Sequence, residues 1–122
     1  MQMLAYIAAA LIAGWGIAHA IPTKRVVAWV GPMTVDNRRV FTQEWLAESF
    51  TMWGMAAVVV AVTAAARDTQ VTAIVYRVIA GFLVALAVLT ALTGARTPKV
   101  WFKVCPVLLA TSAALPLVAS IL

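Results

Sequence analysis

One histidine and two glutamates are the residues of this chain whose types and spacing best suit chemistry. His19 follows a long uncharged run, and Glu44 and Glu48 lie one helical turn apart, so both carboxylates share one face of a helix. A histidine with two carboxylates can bind a divalent cation or transfer protons. Because His19 is the only histidine, we predict no metal site, and these residues identify no cofactor.

The alternative to chemistry is a structural role, which we favour. Glutamates at a membrane border commonly pair with nearby cations. The available cations are Arg25, Arg38, Arg39 and Lys103. We expect any ligand to bind on this same face of the protein. Its candidate residues are His19, Arg38, Arg39, Glu44, Trp45 and Glu48.

Two other side chains have both a functional and a structural interpretation. Arg77 lies about two turns inside an apolar run, where an unpaired guanidinium is costly. We expect it to extend toward the membrane surface or to pair, with Asp68 as the nearest acid in the sequence, rather than to bind a ligand. Cys105 has no second cysteine to pair with, and we interpret it as an inert thiol at the membrane border.

The tryptophans are expected to anchor or pack the helices rather than to form a cofactor cage. They are Trp15, Trp29, Trp45, Trp53 and Trp101.

The composition predicts the helices that hold these residues in place. The 122 residues are 65% hydrophobic and 11% charged, with a mean hydropathy of +1.01, which indicates a membrane protein. Four uncharged runs each approach the roughly 20 residues that a helix needs to cross a bilayer. We therefore predict one all-α domain over residues 1–122, a polytopic bundle of four transmembrane helices. The predicted helices are 3–21, 37–66, 71–93 and 100–122.

The connections carry most of the charge. Residues 22–36 form the longest loop, and its cations, Trp29 and valines predict an interfacial position, with Asp36 as the N-cap of the next helix. The sequence Ala18-His19-Ala20 resembles a signal-peptidase site. We interpret residues 3–21 as a span instead, because Met1-Gln2-Met3 has no positive charge.

Lysine and arginine positions predict the orientation. Seven lie on the side of the first and third loops, against Arg67 and Arg77 on the other side. We expect loops 1 and 3 in the cytoplasm, both termini outside, and contact of these loops with anionic lipid headgroups rather than with nucleic acid. The alanine and valine bias indicates a bacterium with a GC-rich genome, and we expect the protein in the bacterial plasma membrane.

Each predicted span also contains a pair of small residues four positions apart. Such pairs allow close helix packing, within one chain or in a homo-oligomer. They are Ala10 with Gly14, Ala57 with Ala61, Gly81 with Ala85, and Ala110 with Ala114.

The first half of the chain resembles a group of small bacterial four-helix membrane proteins of uncharacterised function. The resemblance rests on Gly16-x-x-His19-x-x-Pro22-Thr23-x-x-Val26-Val27, on Asp36-Asn37-Arg38-Arg39, and on Thr42-x-Glu44-Trp45-x-Ala47-Glu48. The layout is also similar to the DoxX-like proteins and to the MAPEG glutathione and eicosanoid enzymes. The MAPEG pattern Arg-x-x-x-Asn-x-x-Glu is absent, and Arg39-x-x-x-Gln43-Glu44 stands in its place.

These features leave three functions open. We expect a non-enzymatic bundle that serves as an accessory protein to a membrane partner or binds a lipid or another hydrophobic ligand. The second is a MAPEG-like enzyme whose arginine-lined cleft binds an anionic amphiphile or a thiol cofactor. The third is a small oligomeric transporter, which size and helix count favour but which lacks a carboxylate in the first span.

Overall fold

The computed structural model describes residues 2–65 and 68–122, and the regular secondary structure of this part of the chain is entirely helical. The bundle predicted from the composition is confirmed: four helices are long and apolar enough to span a membrane. A single turn of 3-10 helix at Gly94–Arg96 precedes the last helix. The helices are α1 (Gln2–Ala20), α2 (Thr23–Trp29), α3 (Val35–Ala65), α4 (Thr69–Leu92) and α5 (Val100–Ala119).

The first connection contains a helix that the sequence did not predict. Residues 23–29 form α2, which begins after Pro22, and the carbonyl of Pro22 accepts a hydrogen bond from the amide of Val26 at 2.9 Å. Proline lacks an amide proton and suits the start of a helix, where that proton has no partner. The helix ends before Gly31, whose φ of +90° lies in the region that favours glycine.

The N-cap prediction for the second span was wrong. The hydroxyl of Thr34, rather than the carboxylate of Asp36, accepts from the amide of Asn37 at 3.2 Å. Asp36 lies inside the first turn, where its negative charge interacts favourably with the helix dipole. Its Oδ1 also lies 3.5 Å from Nη1 of Arg39. Both partners of this ion pair are largely exposed, so it contributes little stability.

The four long helices form a ring in chain order. The closest packing joins α1 to α3 and α4 to α5, α1 also packs on α5, and the α3–α4 side is the loosest. The buried core runs along the ring axis. Its members include Ala5, Ala9, Ile12, Met52, Val59, Tyr76, Leu83 and Leu109.

Gly16 brings α1 and α3 together. An added Cβ at this position would lie 2.7 Å from Nε1 of Trp53 and 3.3 Å from Cβ of Met52, so a larger residue would overlap α3. The Trp53 indole in turn donates to the carbonyl of Ala13 at 3.2 Å. Close approach at a glycine and an indole hydrogen bond therefore fix this pair of helices.

The small-residue pairs singled out in the sequence do not form these interfaces. All eight residues are exposed on the outer surface of the bundle, and the internal contacts use other small residues, such as Ala5, Ala9 and Ala56. Spacing alone could not distinguish these sets, because an alanine-rich helix carries such pairs on more than one face.

At one end of the bundle, polar groups pair with each other. Thr63 and Tyr76 share a buried hydrogen bond of 2.6 Å, and the Asp68 carboxylate caps α4 by accepting from the amides of Gln70 and Val71. Arg77 was expected to pair with Asp68 or to extend outward. Its partner is not Asp68: the exposed guanidinium donates to the hydroxyl and carbonyl of Ser120, at 3.3 and 3.4 Å. Arg67 lies outside the described residues.

Candidate functional site

A cavity of about 750 Å³ opens at the other end of the bundle, between the end of α1, the short helix α2, α3 and the α4–α5 connection. We call it the cleft. Most of its surface is apolar, with a few polar groups at separate points, as is typical of small-molecule sites. Its lining includes Trp15, His19, Arg25, Trp29, Trp45, Glu48, Thr90, Lys99, Trp101, Phe102 and Cys105.

His19 and Trp45 form two reciprocal hydrogen bonds in the wall of the cleft. The indole Nε1 of Trp45 donates to the His19 carbonyl at 2.9 Å, and the imidazole Nε2 of His19 lies 3.1 Å from the Trp45 carbonyl. Because a carbonyl only accepts, Nε2 carries the proton. The two rings stack with centroids 3.8 Å apart and planes 15° apart. The imidazole is therefore held in one orientation.

Glu48 lies next to this pair. Its Oε2 is 3.3 Å from His19 Nε2, so the histidine contacts one of the two predicted carboxylates. The other oxygen, Oε1, is enclosed and has no hydrogen-bond partner within the described residues. An enclosed carboxylate oxygen without a donor is energetically costly and is uncommon in folded proteins.

All four spanning helices contribute a polar side chain to the cleft. His19 comes from α1, Glu48 from α3, Thr90 from α4 and Cys105 from α5. The thiol of Cys105 is buried and accepts a hydrogen bond from Nε1 of Trp15 at 3.3 Å. Polar residues that converge inside a membrane bundle commonly mark a functional site.

Aromatic rings form much of the cleft wall. Phe102 meets Trp45 and Trp29 edge to face, with centroid distances of 5.9 and 6.3 Å. The ammonium of Lys99 lies 4.4 Å from the centroid of Trp29, which is a cation–π geometry. Four of the five tryptophans line the cleft, so their expected anchoring role does not describe their position fully.

The predicted site residues separate into two groups. The structure brings His19, Trp45 and Glu48 together in the cleft. It places Arg38, Arg39 and Glu44 on the exposed outer turns of α3, outside the cleft lining. Glu44 accepts from its neighbour Gln43 at 3.3 Å rather than contacting His19. The ligand-binding role of all six stays a prediction.

The cations that line the cleft are Arg25 and Lys99. The sequence indicated Lys99 only as a headgroup contact, and it indicated Arg25 also as a partner for the glutamates. Lys103, a suggested partner for the glutamates, donates instead to the carbonyl of Ala95 at 2.9 Å. The tryptophan content and the echo of Pro22-Thr23-Lys24 in Thr97-Pro98-Lys99 were the available signals for this cluster. Neither signal fixes which side chains share a cavity.

Metal binding at the cleft would rest on His19 and Glu48 alone. Within residues 2–65 and 68–122 there is no group of three or more histidine, cysteine or acidic side chains placed to hold an ion. An apolar surface with a few polar groups is the pattern common to sites for organic molecules.

The chain matches no protein-family model, no curated protein and no solved structure.

Proposed function

We propose that this protein is a membrane bundle that binds a hydrophobic amphiphile in the cleft without chemically changing it. The observation that carries the proposal is the aromatic cavity of about 750 Å³, which falls within the size range of small-ligand pockets, about 300–1,000 Å³. Its position at one membrane border would admit a ligand with one end in the bilayer and the other in the headgroup layer.

The rim of the cleft supports entry from the membrane. Ile21, Val100 and Trp101 line the cavity and are at the same time among the most exposed large apolar residues of the bundle. Exposed apolar side chains at this level suit contact with lipid chains and headgroups. A hydrophobic ligand could thus pass between bilayer and cleft without crossing water.

The charge of the cleft favours an anionic headgroup. Arg25 is exposed at the opening, and the ammonium of Lys99 lies over the face of Trp29. Neither cation forms an ion pair with the described acidic residues. The one carboxylate of the lining, Glu48, is already beside His19. Two available cations against one acid, which already contacts His19 through one oxygen, favour a carboxylate or phosphate over an amine.

The thiol geometry supports binding rather than catalysis. An activated cysteine needs a base or a cation to stabilise its thiolate. Cys105 is instead buried against the indole of Trp15, while His19 is engaged by Trp45 and Glu48. The same site could also serve an accessory role, if the bound amphiphile belongs to a membrane partner.

We further propose that the cleft faces the cytoplasm of a bacterial cell. The proposal rests on the excess of lysine and arginine beside loops 1 and 3, which adjoin the cleft. Reporter fusions to the C-terminus test it: a periplasmic reporter should be active there and a cytoplasmic reporter inactive. The opposite pattern would reverse the orientation.

Competition for the tryptophans tests the binding proposal. The protein in phosphatidylcholine nanodiscs is titrated with dibrominated stearate, whose bromines quench nearby indoles, and three C18 competitors that differ only in headgroup are then added. Oleate should displace the quencher best, oleyl alcohol less well and oleylamine least. Equal displacement by all three, at the level of simple partition into lipid, would contradict the proposal.

Glutamine variants of the two cations in the cleft test where the headgroup binds. In Arg25→Gln, and likewise in Lys99→Gln, the advantage of oleate over oleyl alcohol should fall by about two- to fivefold, as expected for an exposed charge pair worth up to about 1 kcal/mol. Arg38→Gln, on the exposed face outside the cleft, is the control and should keep the wild-type preference.

A further inference from the structure

We propose that His19 and Glu48 form a second polar subsite, deeper in the cleft than Arg25 and Lys99, which binds a hydroxyl group on the body of the ligand. The inference rests on the proposed binding function and narrows its ligand class to amphiphiles that carry a phenolic or alcoholic hydroxyl.

The first argument is the unused oxygen of Glu48. The Glu48 side chain lines the cleft and is about 26% exposed, and its Oε1 has no donor among the described residues. The other oxygen faces His19 Nε2 at 3.3 Å. A carboxylate has room for several donors, and rotation about its last side-chain bond would turn the unpaired oxygen toward the cleft, where a ligand hydroxyl relieves the cost of leaving it unpaired.

The second argument is that the neighbouring donors are already engaged. Within the described structure, the indole of Trp45 donates to the His19 carbonyl and that of Trp15 to the Cys105 thiol. The hydroxyl of Thr90 donates to the carbonyls of Leu86 and Ala87. These three donors are therefore occupied, whereas the carboxylate of Glu48 keeps an unpaired acceptor. A ligand carbonyl or ether, which only accepts, finds no free donor among these three.

The third argument is preorganisation. Stacking on Trp45 and the two reciprocal hydrogen bonds fix the His19 ring, and His19 in turn positions Glu48. The carboxylate is thus held before any ligand arrives, which lowers the entropic cost of forming the new bond. Aromatic walls close by favour a ring as the bearer of the hydroxyl, because ring faces and edges pack well against indoles.

A hydroxyl is favoured over an ammonium as the donor. A cationic group that entered the cleft would pass Arg25 and Lys99, both of which line it, and would be repelled by them. A neutral O–H group meets no such barrier and still forms a charge-assisted hydrogen bond with the carboxylate.

A pair of probes that differ in one hydrogen-bond donor tests the inference. In the nanodisc competition assay, 4-nonylphenol is compared with 4-nonylanisole, in which a methyl group replaces the donor hydrogen. Wild-type protein should prefer the phenol by about tenfold, the effect expected for one hydrogen bond to a charged group. This comparison needs no variant and does not depend on how a mutant folds.

Variants then assign the preference to Glu48. In Glu48→Gln the tenfold preference should fall to about twofold, because the acceptor loses its charge. Glu44→Gln, one turn away on the exposed face, is the matched control and should keep the full preference. Oleate competition, measured on the same samples, reports whether each variant retains the cleft.

The outcomes separate the two proposals. Equal affinity for phenol and anisole in a wild-type protein that binds oleate overturns the hydroxyl subsite alone. A tenfold preference that survives in Glu48→Gln overturns the assignment to Glu48. If neither oleate nor the phenol displaces the quencher, both the subsite and the binding function are overturned.

Discussion

The two ends of this bundle differ in whether their polar side chains have hydrogen-bond partners. We call them the cleft end, which holds His19 and Glu48, and the turn end, which holds Thr63, Tyr76 and Ser120. At the turn end, Thr63 binds Tyr76 and Arg77 binds Ser120, so polar groups from different helices pair with each other. At the cleft end, an enclosed carboxylate oxygen and two lining cations have no such partners within the described residues.

The difference separates polar residues that hold helices together from those that are available to a ligand. A smaller groove of about 430 Å³ also lies at the turn end, but it has few aromatic side chains and contains the paired Thr63 and Tyr76. Inside a membrane bundle a paired group is explained by helix association. An unpaired group needs another explanation, and at the cleft end we propose a ligand.

Loss of the close contact between α1 and α3 should have the largest effect, because both ends depend on it. Gly16→Val places atoms against Trp53 and Met52 and should lower the free energy of unfolding by about 3 kcal/mol, the upper range for overpacking. Chemical denaturation in detergent micelles measures it. Gly14→Ala is the control, because among the described residues no atom of another helix lies within 4 Å of its added Cβ. A comparable loss there would contradict the packing argument.

Breaking the polar pair at the turn end should affect stability alone. Tyr76→Phe leaves the buried Thr63 hydroxyl without its cross-helix partner and should cost about 1–2 kcal/mol of unfolding free energy. Displacement of dibrominated stearate by oleate should be unchanged in the same protein. A large loss of oleate binding would show that the two ends are not independent.

Two tryptophans provide a matched test, since both donate to α1 carbonyls but only one lies in the cleft. Trp45→Phe and Trp53→Phe each remove one indole hydrogen bond, of 2.9 and 3.2 Å, and each should cost about 1 kcal/mol of stability. Only Trp45→Phe should also weaken the preference for nonylphenol, because it releases the His19 ring. Equal effects of the two variants on ligand preference would contradict the assigned geometry.

The smallest effect is expected at Arg77. Its contact with Ser120 places a cation at the C-terminal end of α5, an exposed interaction worth about 0.5 kcal/mol or less. Arg77→Gln should therefore change the unfolding free energy slightly, and the change should shrink in high salt. A loss above about 2 kcal/mol would indicate a buried partner instead.

The fold could be predicted from the sequence because bilayer thickness demands long uncharged runs, which are visible without an alignment. The meeting of His19 and Glu48 was also predictable, since both lie where an apolar run meets polar sequence. Glu44 was expected beside them because it shares a helix face with Glu48. It has no contact with His19, because α3 extends beyond the end of α1 at Ala20, and Glu44 lies about 6 Å farther out.

The cleft itself was not predictable, because it depends on how separate helices meet. Trp15, Trp29, Trp45 and Trp101 are spread over four helices, and each alone is typical of a membrane anchor. The small-residue pairs do not mark the contacts within the chain for a related reason, since spacing along one helix does not say which face turns inward; packing between copies of the chain stays a prediction. The helix at residues 23–29 was missed because its seven residues carry too short a pattern to indicate a helix.

The most direct test of the binding function is native mass spectrometry of the protein released gently from its membrane, compared with the double variant Arg25→Gln, Lys99→Gln. We predict that each wild-type chain retains one anionic amphiphile and that the double variant has lost it. Wild-type chains without a bound molecule, or the same molecules retained by both proteins, would contradict a ligand site in the cleft.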